Sequence, residues 1–188
     1  MTQKKLALPF FFLMLALASL ACTIFVGGPN LPNPPVPVSL EAAQSIREQA
    51  KQAVENAVNG EISLQINESQ ITSYLAFKLA QDQNPLFTDP QILLRNGEMQ
   101  IYGKIQRGPF VSNLLITLSI TVDPAGKPLI IISDAKFGPV KLPEGFKATL
   151  SKIIDEAFTG AVGPAATGFR LESITIAEGT MTLSGKIR

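Results

Sequence analysis

The spacing of apolar side chains along the chain predicts both strands and helices. Ile62, Leu64 and Ile66 occupy every second position, which is the pattern of a half-buried strand. The longest such alternation runs from Leu114 to Val122. Leu129 to Ile132 is an unbroken apolar run, which predicts a strand covered on both faces. Apolar residues recur instead at every third or fourth position in three segments, which predicts helices over 39–58, 68–83 and 143–158.

Residues that favour helix ends and turns fix the borders of these elements. Asn67 is suited to cap the second helix, because Gln70 follows in the reciprocating position of a capping box. Asn59-Gly60 is a typical end for the first helix. Asn96-Gly97 predicts a hairpin with a type I′ turn, since both residues tolerate a positive φ.

Two hairpin sequences resemble each other at a fixed distance along the chain. ILLRNGEMQIYGKIQ, residues 92–106, aligns with ITIAEGTMTLSGKIR, residues 174–188, at the turn glycine, the methionine and the Gly-Lys-Ile triplet. Each hairpin follows a predicted strand and helix in the same order. The sequence therefore predicts an α+β domain with about seven strands on two to three helices, in which a strand-helix-hairpin unit is duplicated.

The N-terminal residues have the three parts of an export signal. Lys4 and Lys5 precede an apolar run, and small residues then lead to Cys22, the only cysteine. Ser-Leu-Ala-Cys resembles the lipobox of bacterial lipoproteins, which predicts a signal peptide over 1–21 and lipidation of Cys22. Two alternatives remain open: ordinary cleavage after Ala21, and an uncleaved membrane anchor of about 20 residues. Each of them exports the rest of the chain.

A proline-rich segment separates this signal from the domain. Prolines at 29, 32, 34, 35 and 37 favour an extended polyproline II conformation. Residues 22–38 are therefore predicted to be a stalk, and residues 39–188 a single domain. The expected location is the extracytoplasmic face of the cell membrane, with the lipid on Cys22 as the anchor.

Charge and composition argue against several classes of function. The 16 basic residues include Lys4 and Lys5, so 14 remain after the signal against 15 acidic residues. This near balance gives no basic face for a nucleic acid. The chain contains no histidine, which excludes histidine-based catalysis and imidazole metal ligands. Carboxylates are scattered singly, apart from Asp155-Glu156. We expect no enzyme, no cofactor and no metal site.

The order of these pieces resembles a known group of bacterial proteins. The pattern of Leu64–Leu75, Gly97–Gly103, Gly138–Pro143 and Ile174–Gly185 is similar to the YpmS-like membrane-anchored domains of unknown function. It is more distantly similar to the LmeA-like exported phospholipid-binding proteins. The resemblance implies a curved antiparallel sheet wrapped on helices, with an apolar groove that holds an acyl chain.

Phenylalanines are the candidate lining of such a groove. Phenylalanine at such spacings fills a core more often than it lines a ligand site, and the sequence does not separate the two roles. The expected function is binding of a lipid or another apolar ligand at the membrane. The alternative is a non-catalytic envelope scaffold or protein-interaction domain. The phenylalanines considered for the pocket are Phe77, Phe87, Phe110, Phe137, Phe146, Phe158 and Phe169.

Overall fold

The computed structural model describes residues 23–139, 145–156 and 169–187. Within these ranges the chain is α+β, as predicted, with three helices and eight strands rather than about seven. The helices are α1 (Leu40–Glu55), α2 (Glu68–Ala80) and α3 (Phe146–Glu156). The strands are β1 (Ile24–Phe25), β2 (Glu61–Asn67), β3 (Thr88–Arg95), β4 (Glu98–Arg107), β5 (Phe110–Val122), β6 (Pro128–Phe137), β7 (Phe169–Ala177) and β8 (Thr180–Ile187).

The predicted helix caps are present. The Ser39 hydroxyl accepts a hydrogen bond from the backbone N–H of Ala42 at 3.0 Å and so begins α1. Asn67 and Gln70 form the predicted capping box of α2, with both hydrogen bonds at 2.9 Å. Helix α1 ends at Glu55, three residues before the predicted end, because the chain turns between it and Gly60 to enter β2.

The strands form two sheets instead of the single sheet that was expected. The first sheet has the order β1-β5-β4-β3. Strand β6 pairs with the same edge of β5 as β1 does, farther along that strand. The second sheet has the order β2-β8-β7. All neighbours are antiparallel except β1 and β5. The sheet partners of β2 come from the far end of the chain, so local pattern could not reveal the second sheet.

The exposure of β6 differs from the prediction. Leu129 and Ile131 are half exposed, although the unbroken apolar run predicted a strand covered on both faces. Within the described part of the chain β6 pairs only with β5, so it is an edge strand. Only alternate residues of the run, Ile130 and Ile132, pack against the core.

The opposite edge of the first sheet is covered by helix α2. The backbone N–H of Ile92 donates to the Thr72 hydroxyl at 3.0 Å, and the N–H of Leu94 donates to the Glu68 carboxylate at 2.7 Å. The carbonyl of Leu94 accepts from the N–H of Gly179 at 3.0 Å, which links the two sheets. Edge groups of β3 that would otherwise need water are thus paired inside the protein.

The two hairpins that resemble each other in sequence have the same strand register. Ile92 lies opposite Ile101 in the first hairpin, and Ile174 lies opposite Leu183 in the second. An irregularity in pairing precedes the corresponding residues Gln91 and Ser173. The turns also meet, since the N–H of Asn96 donates at 3.0 Å to Glu178, which lies 82 positions later. The shared register agrees with a duplication, and a duplication as the origin of the hairpins stays a prediction.

One hydrophobic core lies between the sheets and helices. Leu94 and Leu118 in the first sheet and Leu183 in the second are completely or almost completely buried. Helix α1 contributes only Ile46 and Ala50 to the buried set, as its alanine-rich face predicted. Most of the apolar burial therefore comes from the strands, and α1 packs from outside against α2 and β2.

The proline-rich segment lies against the domain and does not form the predicted stalk. We call residues 27–38 the strap. The strap leaves the edge of β5, reaches β3 where the Val36 N–H donates to the Gln91 side chain at 2.5 Å, and continues to α2. Beyond its end, the N–H of Ser39 donates to the Ser73 hydroxyl at 3.0 Å. An extended chain leaves its backbone groups free, and here the side chains of the domain bind them.

Candidate functional site

An apolar groove lies between the strap and the body of the domain. Its volume is about 520 Å³, within the range of small-molecule sites. We call it the strap groove. Apolar side chains from the strap, from α2 and from the loop before β3 form most of its walls: Leu31, Pro32, Pro35, Val38, Ala76, Leu79, Ala80, Pro85 and Phe87. Residues from β3 and β4 complete it: Thr88, Asp89, Pro90, Gln91 and Lys104.

The beginning of the strap is fixed to β5 by backbone hydrogen bonds. The carbonyl of Gly27 accepts from the N–H of Asn113 at 3.0 Å and from the Ser112 hydroxyl at 2.8 Å. The side-chain amide of Asn113 donates to the carbonyl of Pro29 at 2.9 Å. A Cβ atom on Gly28 would lie 2.3 Å from the backbone oxygen of Asn113, so only glycine permits this close approach.

The end of the strap is fixed to α2. The Ser69 hydroxyl donates to the carbonyl of Pro37 at 2.8 Å, one turn before Ser73, which binds Ser39. Both serines lie on the helix face that continues to Ala76 and Ala80 in the groove wall. Helix α2 therefore holds the strap and lines the groove with neighbouring turns of the same face.

Phe87 forms the inner wall of the groove and is almost completely buried. Its ring packs over Gly103 of β4, where a Cβ atom would lie 2.5 Å from Cδ2 of the ring. The missing side chain at Gly103 thus provides the space that the ring occupies. Gly103 matches Gly185 of the second hairpin in sequence. In the structure, Gly103 has the role of making room for the Phe87 ring.

An ion pair of opposite charges borders the groove. The Asp89 carboxylate lies 2.8 Å from the Lys104 ammonium, and both side chains are partly exposed. Asp89 has a φ of 50°, which is uncommon for a residue with a side chain, and it lies at the irregularity where β3 begins. An exposed pair contributes little to stability. The groove therefore presents one anionic and one cationic group beside an apolar interior.

A second, wider cavity of about 860 Å³ lies between α1 and β2. The outward-facing residues of β2, such as Ser63 and Gln65, meet amide side chains of α1, such as Gln49 and Gln52. The Gln70 amide crosses this region and donates to the Ser45 hydroxyl at 2.7 Å. The walls are mostly polar, so this cavity suits water better than an apolar ligand.

An ion pair and burial shift the pKa values of three side chains on the helices, Tyr74, Lys78 and Glu156. The Lys78 ammonium on α2 lies 2.7 Å from the Glu156 carboxylate on α3. Their hydrogen bond raises the pKa of Lys78 and lowers the pKa of Glu156. Burial raises the pKa of the neighbouring Tyr74 phenol. All three groups keep their usual charge at neutral pH, and the ion pair joins α2 to α3.

Among the phenylalanines predicted to line a pocket, the five whose side chains the structure describes do not converge on one site. Of the described ones, Phe87 lines the strap groove, and Phe146 is buried in the core. Phe77, Phe110 and Phe137 are partly exposed. Phe158 lies outside the described residues, and Phe169 begins β7 without a described side chain.

The main groove residues that sequence reasoning missed lie in the strap and at the start of β3. Leu31 and Val38 gave only a weak signal, because single apolar side chains are ordinary on a protein surface. Asp89 and Lys104 gave no such signal, since they lie 15 positions apart and the pairing of β3 with β4 brings them together.

The predicted signal peptide and the lipidation site Cys22 lie outside the described residues. In the parts of the chain that the structure describes, no helix has the length and apolar character needed to cross a membrane. The anchor thus stays a prediction from the sequence.

Comparisons with known proteins show no family for this chain. No protein-family model matches it, and no curated protein matches it either. A solved structure described as "Crystal structure of lipopolysaccharide binding protein" aligns with 78% of this chain at 10% identity and a TM-score of 0.17. The chain spans 46% of that protein's length. A TM-score this low establishes neither a shared fold nor a shared ligand.

Proposed function

We propose that this protein binds a lipid or another apolar ligand in the strap groove, without catalysis, at the extracytoplasmic face of the cell membrane. The observation that carries the proposal is the apolar groove of about 520 Å³. One wall of the groove is formed by the strap, which begins five residues after the predicted anchor at Cys22. The proposal also draws on the resemblance to the YpmS-like domains of unknown function and, more distantly, to the LmeA-like proteins. The second resemblance would place the ligand among phospholipids.

The lining of the groove suits an acyl chain. Leu79 and Phe87 form a buried wall, and the strap covers it with Leu31 and Val38. Each methylene group removed from water gains about 0.8 kcal/mol. Eight of them gain roughly 6 kcal/mol before the cost of immobilising the chain, which for association is at least about 4 kcal/mol. The surplus favours binding, and further methylene groups and contacts of the headgroup would add to it.

The ion pair at the groove suits a headgroup with both charges. Lys104 can bind a phosphate, and Asp89 can bind an ammonium group. Because both side chains are partly exposed, exchanging their mutual contact for contacts with a zwitterionic headgroup costs little.

Native mass spectrometry tests whether lipid is bound. The chain from Thr23 onward would be exported behind a cleavable signal and purified without detergent. We expect bound lipid at a stoichiometric level. Bare protein after gentle purification would contradict lipid binding.

A matched pair of variants tests the location of the ligand. Ala80→Phe places a ring in the groove wall, whereas Gln81→Phe adds the same ring at the next, exposed position outside the lining. We expect Ala80→Phe to reduce the bound lipid several-fold and Gln81→Phe to leave it unchanged. Equal retention in both variants would show that the lipid lies elsewhere.

The anchor is tested separately. Lipidation predicts that the full chain partitions into detergent and that Cys22→Ser accumulates as unprocessed precursor. Unchanged mass and unchanged membrane retention in this variant would favour an uncleaved membrane anchor.

An envelope scaffold is the second candidate, and the exposed edge strand β6 favours it. Leu129 and Ile131 are half exposed on a strand whose outer edge pairs with no other strand among the described residues, a combination that invites another protein strand. If the purified protein carries no lipid, and Ile131→Lys abolishes binding of an envelope protein, the scaffold is the better explanation.

A further inference from the structure

The tip of the first sheet that lies nearest the predicted anchor carries exposed apolar side chains. Ile24, Phe25, Phe110 and Phe137 are 51%, 61%, 45% and 38% exposed. We call these four residues the apolar rim. They come from β1, from the start of β5 and from the end of β6. None of them lines the strap groove.

Strand pairing brings the members of the rim together. Ile24 lies opposite Phe110. Phe137 lies opposite Leu114, between the tip of the sheet and the bulge in β6. Residues two and four apart on a strand share a face, so Ile24, Phe110 and Phe137 lie on one face of the sheet. Phe110 and Leu114 are separated by about 13 Å along the strand. Phe25 lies opposite Val111 and projects from the other face.

The rim has apolar side chains on both faces of the sheet, which suits a tip that inserts into the interface of a bilayer and is surrounded by it. Arg107 lies opposite Phe110 in the adjoining turn and is also exposed. An arginine beside an apolar tip fits the boundary between acyl chains and phosphate groups.

Covalent geometry limits how far the rim can lie from the anchor. Only Thr23 separates Cys22 from Ile24, so their Cα atoms are at most about 7 Å apart. The N–H of Ile24 in β1 donates to the Pro109 carbonyl at 2.6 Å, and this hydrogen bond fixes Ile24 to the sheet. A Cys22 held at the membrane therefore brings the tip of the sheet to the lipid surface.

We propose that the apolar rim inserts into the interface of the lipid bilayer and holds the domain in one orientation on the membrane. This inference rests on the proposed anchoring at Cys22, and it is independent of lipid binding in the strap groove. The strands then stand on the membrane with the Arg107–Phe110 turn lowest. The turn after β5 lies farthest from the bilayer, about 40 Å away along that strand.

Depth-dependent fluorescence quenching tests this orientation on the full chain. The protein would be reconstituted into vesicles of phosphatidylcholine and phosphatidylglycerol. An environment-sensitive fluorophore would be attached to a single introduced cysteine. Phe110→Cys reports on the rim, and Ala125→Cys reports on the exposed turn at the other end of β5. Because Cys22 is the only native cysteine, the unsubstituted chain labelled in parallel gives the background.

We expect nitroxide-labelled lipid to quench the fluorophore at position 110 at least several-fold more than the one at position 125. Iodide in the water should show the reverse order. Arg107→Cys provides a second label that leaves all four rim residues in place, and it should behave like Phe110→Cys.

The outcomes separate this inference from the proposed function. Protein that floats with the vesicles but shows equal quenching at positions 107, 110 and 125 overturns the orientation and leaves the anchor intact. Protein that does not float with the vesicles overturns the anchor and the rim together. Lipid binding in the groove is judged separately, by the native mass spectrum.

Discussion

Replacing Gly103 by alanine tests how the inner wall of the strap groove is built. The new Cβ atom would lie 2.5 Å from Cδ2 of Phe87 and 3.0 Å from the backbone oxygen of Thr88. Carbon atoms pack best at about 3.5–4.0 Å, so the ring must move by about 1 Å. Inserting a methyl group into a packed interior costs about 1–3 kcal/mol.

An opposing effect must be subtracted from this cost. Alanine in a strand is favoured over glycine by about 0.5–1 kcal/mol, because glycine loses more freedom on folding. The close contacts are larger in magnitude, so we expect Gly103→Ala to lose about 1–2 kcal/mol of unfolding free energy. For a domain of this size, that is a thermal midpoint lower by roughly 2–8 °C.

Urea unfolding followed by circular dichroism provides the measurement. The midpoint should fall while the slope m stays constant, since the surface exposed on unfolding does not change. A smaller side chain at position 87 should relieve the contact. In a double-mutant cycle with Phe87→Leu, we expect a coupling energy of about 1 kcal/mol in favour of the double variant.

Two results would refute this reasoning. A higher urea midpoint for Gly103→Ala would mean that no ring covers the glycine. Strict additivity with Phe87→Leu would mean that the two residues do not touch.

Three further predictions concern the frame around the groove. Thr72→Val should cost about 1–3 kcal/mol because it leaves the N–H of Ile92 unpaired. Thr72→Ser keeps the hydroxyl and should lose less, and an equal loss in urea unfolding would contradict this role. Asn67→Ala should cost about 1 kcal/mol in the same assay, because it removes the cap of α2. The contribution of the Glu156 carboxylate to the free energy of unfolding is present above the ordinary carboxyl pKa. It is lost as the pH falls through the lowered pKa of Glu156. The contribution of the Lys78 ammonium to the free energy of unfolding is present below the ordinary ammonium pKa. It is lost as the pH rises through the raised pKa of Lys78. Glu156→Gln should therefore slightly lower the thermal midpoint at neutral pH and match the parent in acid, and a difference that persists in acid would contradict the ion pair.

Local pattern predicted the elements of this fold well. The alternation of Ile62, Leu64 and Ile66 became a strand with those three side chains buried. The capping box at Asn67 and the hairpin at Asn96-Gly97 were correct because their signals depend on neighbouring residues alone. Such signals need no knowledge of the rest of the chain.

The arrangement of these elements was not available from local pattern. Leu129–Ile132 is as apolar as a central strand, yet β6 is an edge strand, because burial depends on which strands lie beside it. The strap lies against the domain, although its proline density predicted a stalk. Proline fixes an extended path but does not decide whether that path runs through water or along a sheet.

The pairing of β2 with β8 would have a consequence for folding during the proposed export. Strand β2 finds its partner roughly 120 residues later in the chain, so this contact has a high contact order and closes late. A chain that crosses the membrane N-terminus first must keep the edge of β2 unpaired until Thr180–Ile187 arrives. Truncation before β8 would leave Ile62, Leu64 and Ile66 without a sheet partner, and the secreted fragment would then be prone to aggregate.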